Sequence, residues 1–340
     1  LIARGHRVVL MTDARSGALS SPVFAGREQF VLRGAGIAGR GVVRGVRAVL
    51  GLAAGTLRAR AALKRLDAAV VVGFGGYPSV PPVLAAQLLR RRPFVVLQEQ
   101  NAVLGRANRL LSRWADVLAL GMAGTRGIPG RVRQEVTGNP VRPAIAALAG
   151  LGYTPPMENI NLVVLGGSLG ARVFSDVVPP AIAALPAALR GRLSVVQQCR
   201  AEDLARVRAQ YDESGVSAEL APFFQDVAAR LARAHLVIGR AGASTVAELA
   251  VAGRPAILVP LPGAIDDHQS ANAAVLGGAR VIAQRDFSAE GLAALLTEML
   301  GDTQLLATAA QAAAASAHAD AAGALATLVE RNMARVGAAA

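Results

Sequence analysis

A short run of aliphatic residues that stops at a glycine cluster and passes straight into a helix-forming stretch constrains this chain more than any other feature. It occurs where Ala68–Val72 meets Gly73-Phe74-Gly75-Gly76-Tyr77-Pro78-Ser79 and where Asn161–Leu165 meets Gly166-Gly167-Ser168-Leu169-Gly170. It recurs where Leu236–Ile238 leads through Arg240-Ala241-Gly242 into Ala243-Ser244-Thr245-Val246-Ala247-Glu248. A strand covered on both faces reads as a continuous apolar run. Glycine lets the chain turn sharply and lets a ligand approach the backbone, and the helix that follows points its N-terminus at the same spot. Strands alternating with helices predict an α/β fold with parallel sheets, whose ligands sit beyond the carboxyl ends of the strands.

The same reading predicts strands at His6–Met11, Phe94–Gln98, Val117–Leu120, Ser194–Gln198 and Ala256–Val259, with helical segments near 40–66, 79–91 and 103–114. A chain of 340 residues has room for two such domains. The proline-bearing stretch Gly138–Pro156 divides them into residues 1–150 and 151–340. Both are expected to be doubly wound, with the ligand between their facing strand ends. The Ala-rich end (AAQAAAASAHADAAGALATLVE) reads as a pair of capping helices. The opening Leu1-Ile2-Ala3-Arg4-Gly5-His6 reads as the end of a helix feeding a strand. The first domain is therefore expected to lack its first strand and first glycine loop.

Composition narrows the setting. No apolar run reaches the ~20 residues of a membrane-spanning helix, and the opening carries no signal-peptide pattern. The single cysteine, Cys199, excludes an internal disulfide and fits a reducing compartment. Residues 1–150 hold 22 Lys and Arg against 6 Asp and Glu, a net +16, whereas residues 151–340 hold 14 against 17, a net −3. The basic half therefore suits an anionic partner, although an arginine-rich composition explains part of the surplus. Arg40, Arg44, Arg47, Arg58, Arg60, Lys64 and Arg65 fall among Val, Leu and Ala over residues 36–66, a basic amphipathic stretch that suits an anionic membrane surface or, alternatively, a surface helix packing one face on the sheet. No nucleic-acid motif or set of stacking aromatics is present.

Several polar groups lie at predicted strand ends. Ser168 stands in a turn that fits either a phosphate site or a tight strand-to-helix turn without a ligand, and the Gly73–Ser79 turn offers a second anion site in the other domain. Glu248 fits either a capping box with Ser244 or Thr245, or a carboxylate accepting from two ribose hydroxyls. Glu99, in Gln98-Glu99-Gln100-Asn101, fits a base, a hydroxyl acceptor or a helix-capping turn. Arg142, in Gly138-Asn139-Pro140-Val141-Arg142, carries a planar donor fork matched to a diphosphate. Asp266-Asp267-His268-Gln269 fits a loop that reads sugar hydroxyls or an ordinary helix start, and its paired Asp with His is disfavoured as a metal site.

Taken in order, the segments GFGGYPSVP, LQEQNAVLGRANR, GNPVR, GGSLGAR, RAGASTVAELAVAGRPAILVPLP and DDHQSANA resemble the MurG family. These are the UDP-N-acetylglucosamine:lipid I N-acetylglucosaminyltransferases of peptidoglycan synthesis. The resemblance runs from residue 1 to about residue 285. It implies a GT-B architecture, an inverting transfer to the N-acetylmuramyl 4-hydroxyl, no cofactor or metal, and a peripheral position on the cytoplasmic face of the bacterial inner membrane. It also implies a donor site of Asn101, Arg142, Ser168, Phe224, Ala243, Ser244, Thr245, Val246, Ala247, Glu248, His268 and Gln269. Tyr77 and Glu99 fall on the acceptor side and are the candidate catalytic groups. The family's first glycine loop, with the His proposed as base, has no counterpart in the sequence, which opens after it. Val80 stands where the family usually has glycine, and Phe224 replaces a smaller aliphatic. The alternatives are a GT-B enzyme with another acceptor, a UDP-N-acetylglucosamine 2-epimerase, and a sugar-nucleotide-binding subunit without turnover.

Overall fold

The computed structural model describes residues 1–14, 17–32, 42–167 and 170–338. The chain forms two compact units. The first comprises Leu1–Gln100, Leu104–Thr137 and Ala322–Ala340, and the second Asn101–Val103 and Gly138–Ala321.

In the first unit, β1 (Leu10–Thr12) pairs in parallel with β2 (Gln29–Val31). A separate parallel sheet runs β3 (Val70–Gly73), β4 (Phe94–Glu99), β5 (Val117–Leu120), β6 (Arg133–Val136). The expected strand His6–Met11 is thus shorter and later, because His6 bonds Glu330 of the last helix at 2.7 Å instead of joining a sheet. The unexpected strand β6 (RQEV) lies at the sheet's edge and is mostly exposed, so it carries no apolar run to read.

Alternation along β4 sends neighbouring side chains to opposite faces. Val95 and Leu97 join Leu63, Val83, Leu111 and Leu118 in one core, against helices Val42–Leu66, Val80–Gln87 and Arg106–Leu111. Val96 joins Val117 and Ala119 on the other face, covered by Leu325, Leu328 and Val329 of helix Ala321–Ala338. Each of those three side chains contributes roughly 1.5–3 kcal/mol on burial. Partly exposed pairs such as Arg4–Glu330 at 2.7 Å and Arg331–Glu135 at 2.6 Å also link this helix to the rest of the unit and add little energy. Pro81 and Pro82 sit in the first turn of helix Val80–Gln87, where a missing N–H costs nothing. The helix expected over 103–114 starts only at Arg106, because Leu104 N–H bonds the Arg126 carbonyl at 2.8 Å and Gly105 N–H the Glu99 carboxylate at 2.8 Å.

The second unit is one six-stranded parallel sheet built from β7 (Ile160–Leu165), β8 (Leu193–Gln198), β9 (Ser217–Ala221), β10 (Leu236–Gly239), β11 (Ala256–Leu258) and β12 (Arg280–Val281). The spatial order is β12-β11-β10-β7-β8-β9. Phe174, Ile182, Tyr211, Leu162 and Leu296 are fully buried in its main core. The Ala-rich helix Thr303–Ala315 has a packing reason. A Cβ on Gly278 (φ +70) would lie 2.7 Å from the Ala309 Cα, and one on Gly277 would lie 2.5 Å from the Ala312 carbonyl oxygen. Small residues on both sides let the two backbones touch. The second tail helix, Ala321–Ala338, continues from there into the first unit.

Candidate functional site

The chain order in the second sheet fixes where a ligand can enter. From β7 the chain adds β8 and β9 on one side, then crosses to β10, β11 and β12 on the other. The turns after β7 and β10 therefore diverge and leave a crevice at the carboxyl edge, the topological switch point of a doubly wound sheet. The turn after β7 is Gly166–Gly170, and the one after β10 is Arg240–Gly242. Ser168 lies outside the described residues.

Gly166 is obligatory by close approach, since a Cβ there would sit 2.4 Å from the backbone nitrogen of Ala171. Across the switch point, helix Ala243–Ala252 begins at Gly242 with no side-chain cap. The capping-box reading of Ser244, Thr245 and Glu248 is therefore corrected, because Glu248 is one and a half turns into the helix, beyond reach of its first amides. The amides of the first turn, at Ala243, Ser244 and Thr245, are left to the crevice with the positive end of the helix dipole. Val246 is buried beneath them and Ala247 follows on the same helix.

Arg142 reaches Glu248 with its fork: Nε donates to Oε1 at 3.1 Å and Nη2 to Oε2 at 3.2 Å. Glu248 is mostly buried and Arg142 half exposed, with side-chain exposures of 16% and 50%. Burial pushes the Glu248 carboxyl above its ordinary value, an effect that Arg142 partly offsets. Arg240 is buried and supports the crevice from behind, donating to the carbonyls of Val259 and Pro260 at 3.0 and 3.2 Å.

Two further candidates lie after β11. Gln269 Oε1 accepts from Leu261 N–H at 2.9 Å, which pins the loop and leaves the amide nitrogen for a ligand. The His268 Nδ1 lies 2.8 Å from the Ile265 carbonyl. Asp266 and Asp267 before them have φ of +54° and +50°, a left-handed conformation uncommon outside glycine and concentrated at functional loops. At the other edge, the buried Phe224 ring lies under the Arg230 guanidinium, 4.0 Å from the ring centroid. Arg230 is itself held by Glu219 at 2.7 and 2.8 Å and by Asp226 at 2.8 Å. The aromatic side chain is turned into the protein, while Pro222, Phe223, Gln225 and Asp226 around it are exposed.

Asn101 joins this group through a residue that the sequence alone did not single out. Asn272, fully buried, accepts from Ala102 N–H at 2.8 Å and donates to Asn101 Oδ1 and to the Ala241 carbonyl, both at 3.1 Å. Its only sequence signal was its place in DDHQSANA.

Tyr77 and Glu99 belong to the first unit, after β3 and β4. Glu99 is 2% exposed, and its Oε2 accepts from Gly105 N–H at 2.8 Å and from Asn108 Nδ2 at 2.9 Å. This is the geometry of a carboxylate that shapes the loop before helix Arg106–Leu111. The Tyr77 phenol oxygen is buried, with no hydrogen-bond partner among the described residues.

The N-terminal domain of glycosyltransferase family 28 matches residues 1–119, and the C-terminal domain of the same family matches residues 161–325. The UDP-N-acetylglucosamine–N-acetylmuramyl-(pentapeptide) pyrophosphoryl-undecaprenol N-acetylglucosamine transferase of Granulibacter bethesdensis is 59% identical over 97% of this chain and 87% of its own length. The protein of the same name from Acidiphilium cryptum is 55% identical, over 97% and 90%. Among solved structures, MurG of Acinetobacter baumannii superposes with a TM-score of 0.78 at 30% identity, covering 97% of this chain and 92% of that one. A UDP-GlcNAc 2-epimerase from Neisseria meningitidis, at 11% identity and a TM-score of 0.60, covers 92% of this chain and 87% of its own and shares the fold alone.

Proposed function

Since the chain belongs to the MurG family within glycosyltransferase family 28 and has its GT-B architecture, we infer that it transfers N-acetylglucosamine from UDP-N-acetylglucosamine to lipid I, giving lipid II. The observation that carries this reading is the switch-point crevice of the second unit. An uncapped helix N-terminus, a glycine turn and a paired Arg142–Glu248 meet there at one sheet edge. Backbone amides and a guanidinium fork suit a diphosphate, and a mostly buried carboxylate suits a ribose diol.

The donor lies with its uracil along the Phe224 backbone and its ribose hydroxyls on Glu248. Its diphosphate rests between the glycine turn after β7, the first turn of helix Ala243–Ala252 and Arg142, and its sugar lies near Asn101, His268 and Gln269. Arg142 and Glu248 exchange each other for the two parts of the nucleotide. The N-acetylmuramyl 4-hydroxyl attacks the anomeric carbon from the face opposite the diphosphate. The C–O bond to UDP breaks with inversion, and the hydroxyl proton leaves to a base. Negative charge grows on the departing phosphate, where Arg142 and the helix amides are already oriented, so little reorganisation is needed. Glu99 positions the acceptor-side loop through Gly105 and Asn108. A buried phenol without a partner, Tyr77, gains by meeting a polar group of the acceptor.

Labelled N-acetylglucosamine is expected to pass from its UDP donor to a lipid I analogue, with UDP released only when the acceptor is present. Release of UDP or formation of a 2-epimer without acceptor would overturn the transfer reading.

The membrane side of the reading rests on helix Val42–Leu66. Among the described residues no helix is long and apolar enough to cross a membrane. This one instead exposes Val49, Leu50 and Leu57 beside Arg58, Arg60, Lys64 and Arg65. Arg40 lies outside the described residues, as do the side chains of Arg44 and Arg47. Exposed aliphatics flanked by cations fit a peripheral hold on an anionic leaflet, here the cytoplasmic face of the inner membrane. Binding to vesicles containing anionic phospholipid is expected to weaken by roughly tenfold or more between low and high salt. Leu57→Glu is expected to lower it at every salt concentration. Binding that ignores both salt and this substitution would remove the helix from the membrane contact.

A further inference from the structure

At the end of β8, between the two nucleotide-facing loops, lies a buried side chain with no role in the donor pose above. Gln198 is 6% exposed. Strand alternation separates it from its neighbour: Gln197 points into the core, where the Tyr211 hydroxyl donates to it at 2.6 Å, and Gln198 faces the strand-end loops. Its Oε1 accepts from Gly166 N–H at 3.0 Å, and its Nε2 donates to the carbonyls of Gly167 at 2.8 Å and Pro222 at 3.1 Å. Because β8 lies between β7 and β9, one carboxamide at its end reaches the glycine turn on one side and the Pro222–Asp226 loop on the other.

We propose that Gln198 is a positioning residue for the donor nucleotide, tying the turn that meets the diphosphate to the loop that meets the base. The proposal rests on the reading of those two loops as the diphosphate and base contacts. The chemistry asks for an amide, because the position needs one acceptor and two donors at once; a carboxylate has only acceptors and an ammonium only donors. The Gly166 amide is spent on Gln198, so the turn's own geometry is fixed before a phosphate arrives. A base and a diphosphate on one ligand require a set spacing between their two loops, and a preformed spacing avoids the ordering cost on binding.

The test uses Gln198→Glu and the near-isosteric Gln198→Met, with Glu248→Ala as the control for the donor site. UDP affinity by calorimetry, KM for each substrate and thermal melting are measured for all three. The Kd for UDP and the KM for UDP-N-acetylglucosamine are expected to rise about tenfold in both Gln198 variants, while the KM for a lipid I analogue stays within about twofold. In Gln198→Glu, UDP affinity relative to the parent protein is expected to recover as pH falls, because the protonated carboxyl regains a donor for one of the two carbonyls. Gln198→Met has no such recovery. Parent-like UDP affinity in both Gln198 variants, with Glu248→Ala weakened, would overturn the proposal and leave the donor site standing. Parent-like affinity in all three would overturn the donor site and the proposal together. Equal rises in both KM values with a lowered melting temperature would make Gln198 an ordinary core residue and also overturn it.

Discussion

Alanine in place of Gly166 is expected to lower kcat/KM for UDP-N-acetylglucosamine by roughly a hundredfold or more while the protein still folds. The added Cβ would lie 2.4 Å from the Ala171 nitrogen and 2.8 Å and 2.9 Å from Gly170 carbon atoms. All of these are backbone, so no side chain can swing aside. The turn must open, and Ala171 is the residue on which helix Arg172–Ala183 starts. In the proposed donor pose, the turn that meets the diphosphate then moves by a good fraction of an ångström. Gly167 supplies the contrast. A Cβ there meets nothing within 4 Å, and only its φ of +83° is unfavourable. Gly167→Ala should therefore cost about 1–2 kcal/mol of backbone strain and far less activity. Steady-state kinetics with calorimetry on both variants checks the pair. A parent-like donor KM in Gly166→Ala would remove the turn from the site.

Arg142→Ala is expected to lower kcat by about a hundredfold, because in the proposed donor pose the guanidinium acts most strongly on the charge that grows as UDP departs. Arg142→Lys should recover only part of this, since an ammonium keeps the charge but loses the two-pronged geometry. A second consequence separates this residue from a generic surface arginine. Burial already raises the Glu248 carboxyl from its ordinary value, with Arg142 opposing the shift. Without Arg142 the folded-state value rises further. A carboxyl whose folded value exceeds its unfolded one binds protons more tightly when folded, so stability falls as pH rises through that window and stays lower above it. The Arg142→Ala protein should thus lose stability relative to the parent from the upper end of the acid range to neutrality. The deficit should shrink as pH falls and Glu248 protonates. A pH-independent difference in melting temperature would disconnect Arg142 from Glu248.

Local pattern made much of this legible. Val117–Leu120 is a strand with the bounds its apolar run predicts, and β4, β7, β8, β10 and β11 agree with their predicted positions to within a residue at each end. Such strands are covered on both faces, and their composition says so. Their carboxyl ends carry the glycine and polar clusters, so the segments holding Asn101, Glu248 and Gln269 were visible as candidates from position, whereas Arg142 was visible in the Gly138–Arg142 stretch near the domain junction. β2, β6, β9 and β12 were not visible, because edge or short strands need only part of their residues buried and mix polar side chains freely.

The alternation of strand and helix, the glycine junctions at strand ends and the family motifs are legible in short windows of the chain, because each is written within a few neighbouring residues. Tertiary structure alone decided the rest. Glu248 lies deep in a helix with Arg142 as partner, although the two are more than a hundred residues apart in the chain. Glu99 is drawn to Gly105 and Asn108, and Asn272 and Gln198 each tie together loops from separate strands. The last helix covers Val96, Val117 and Ala119 in the first unit after the chain has passed through the second. These outcomes depend on which strand ends become neighbours. Strand order in a parallel sheet is set by the packing of whole helices on both faces, which no local window of sequence contains.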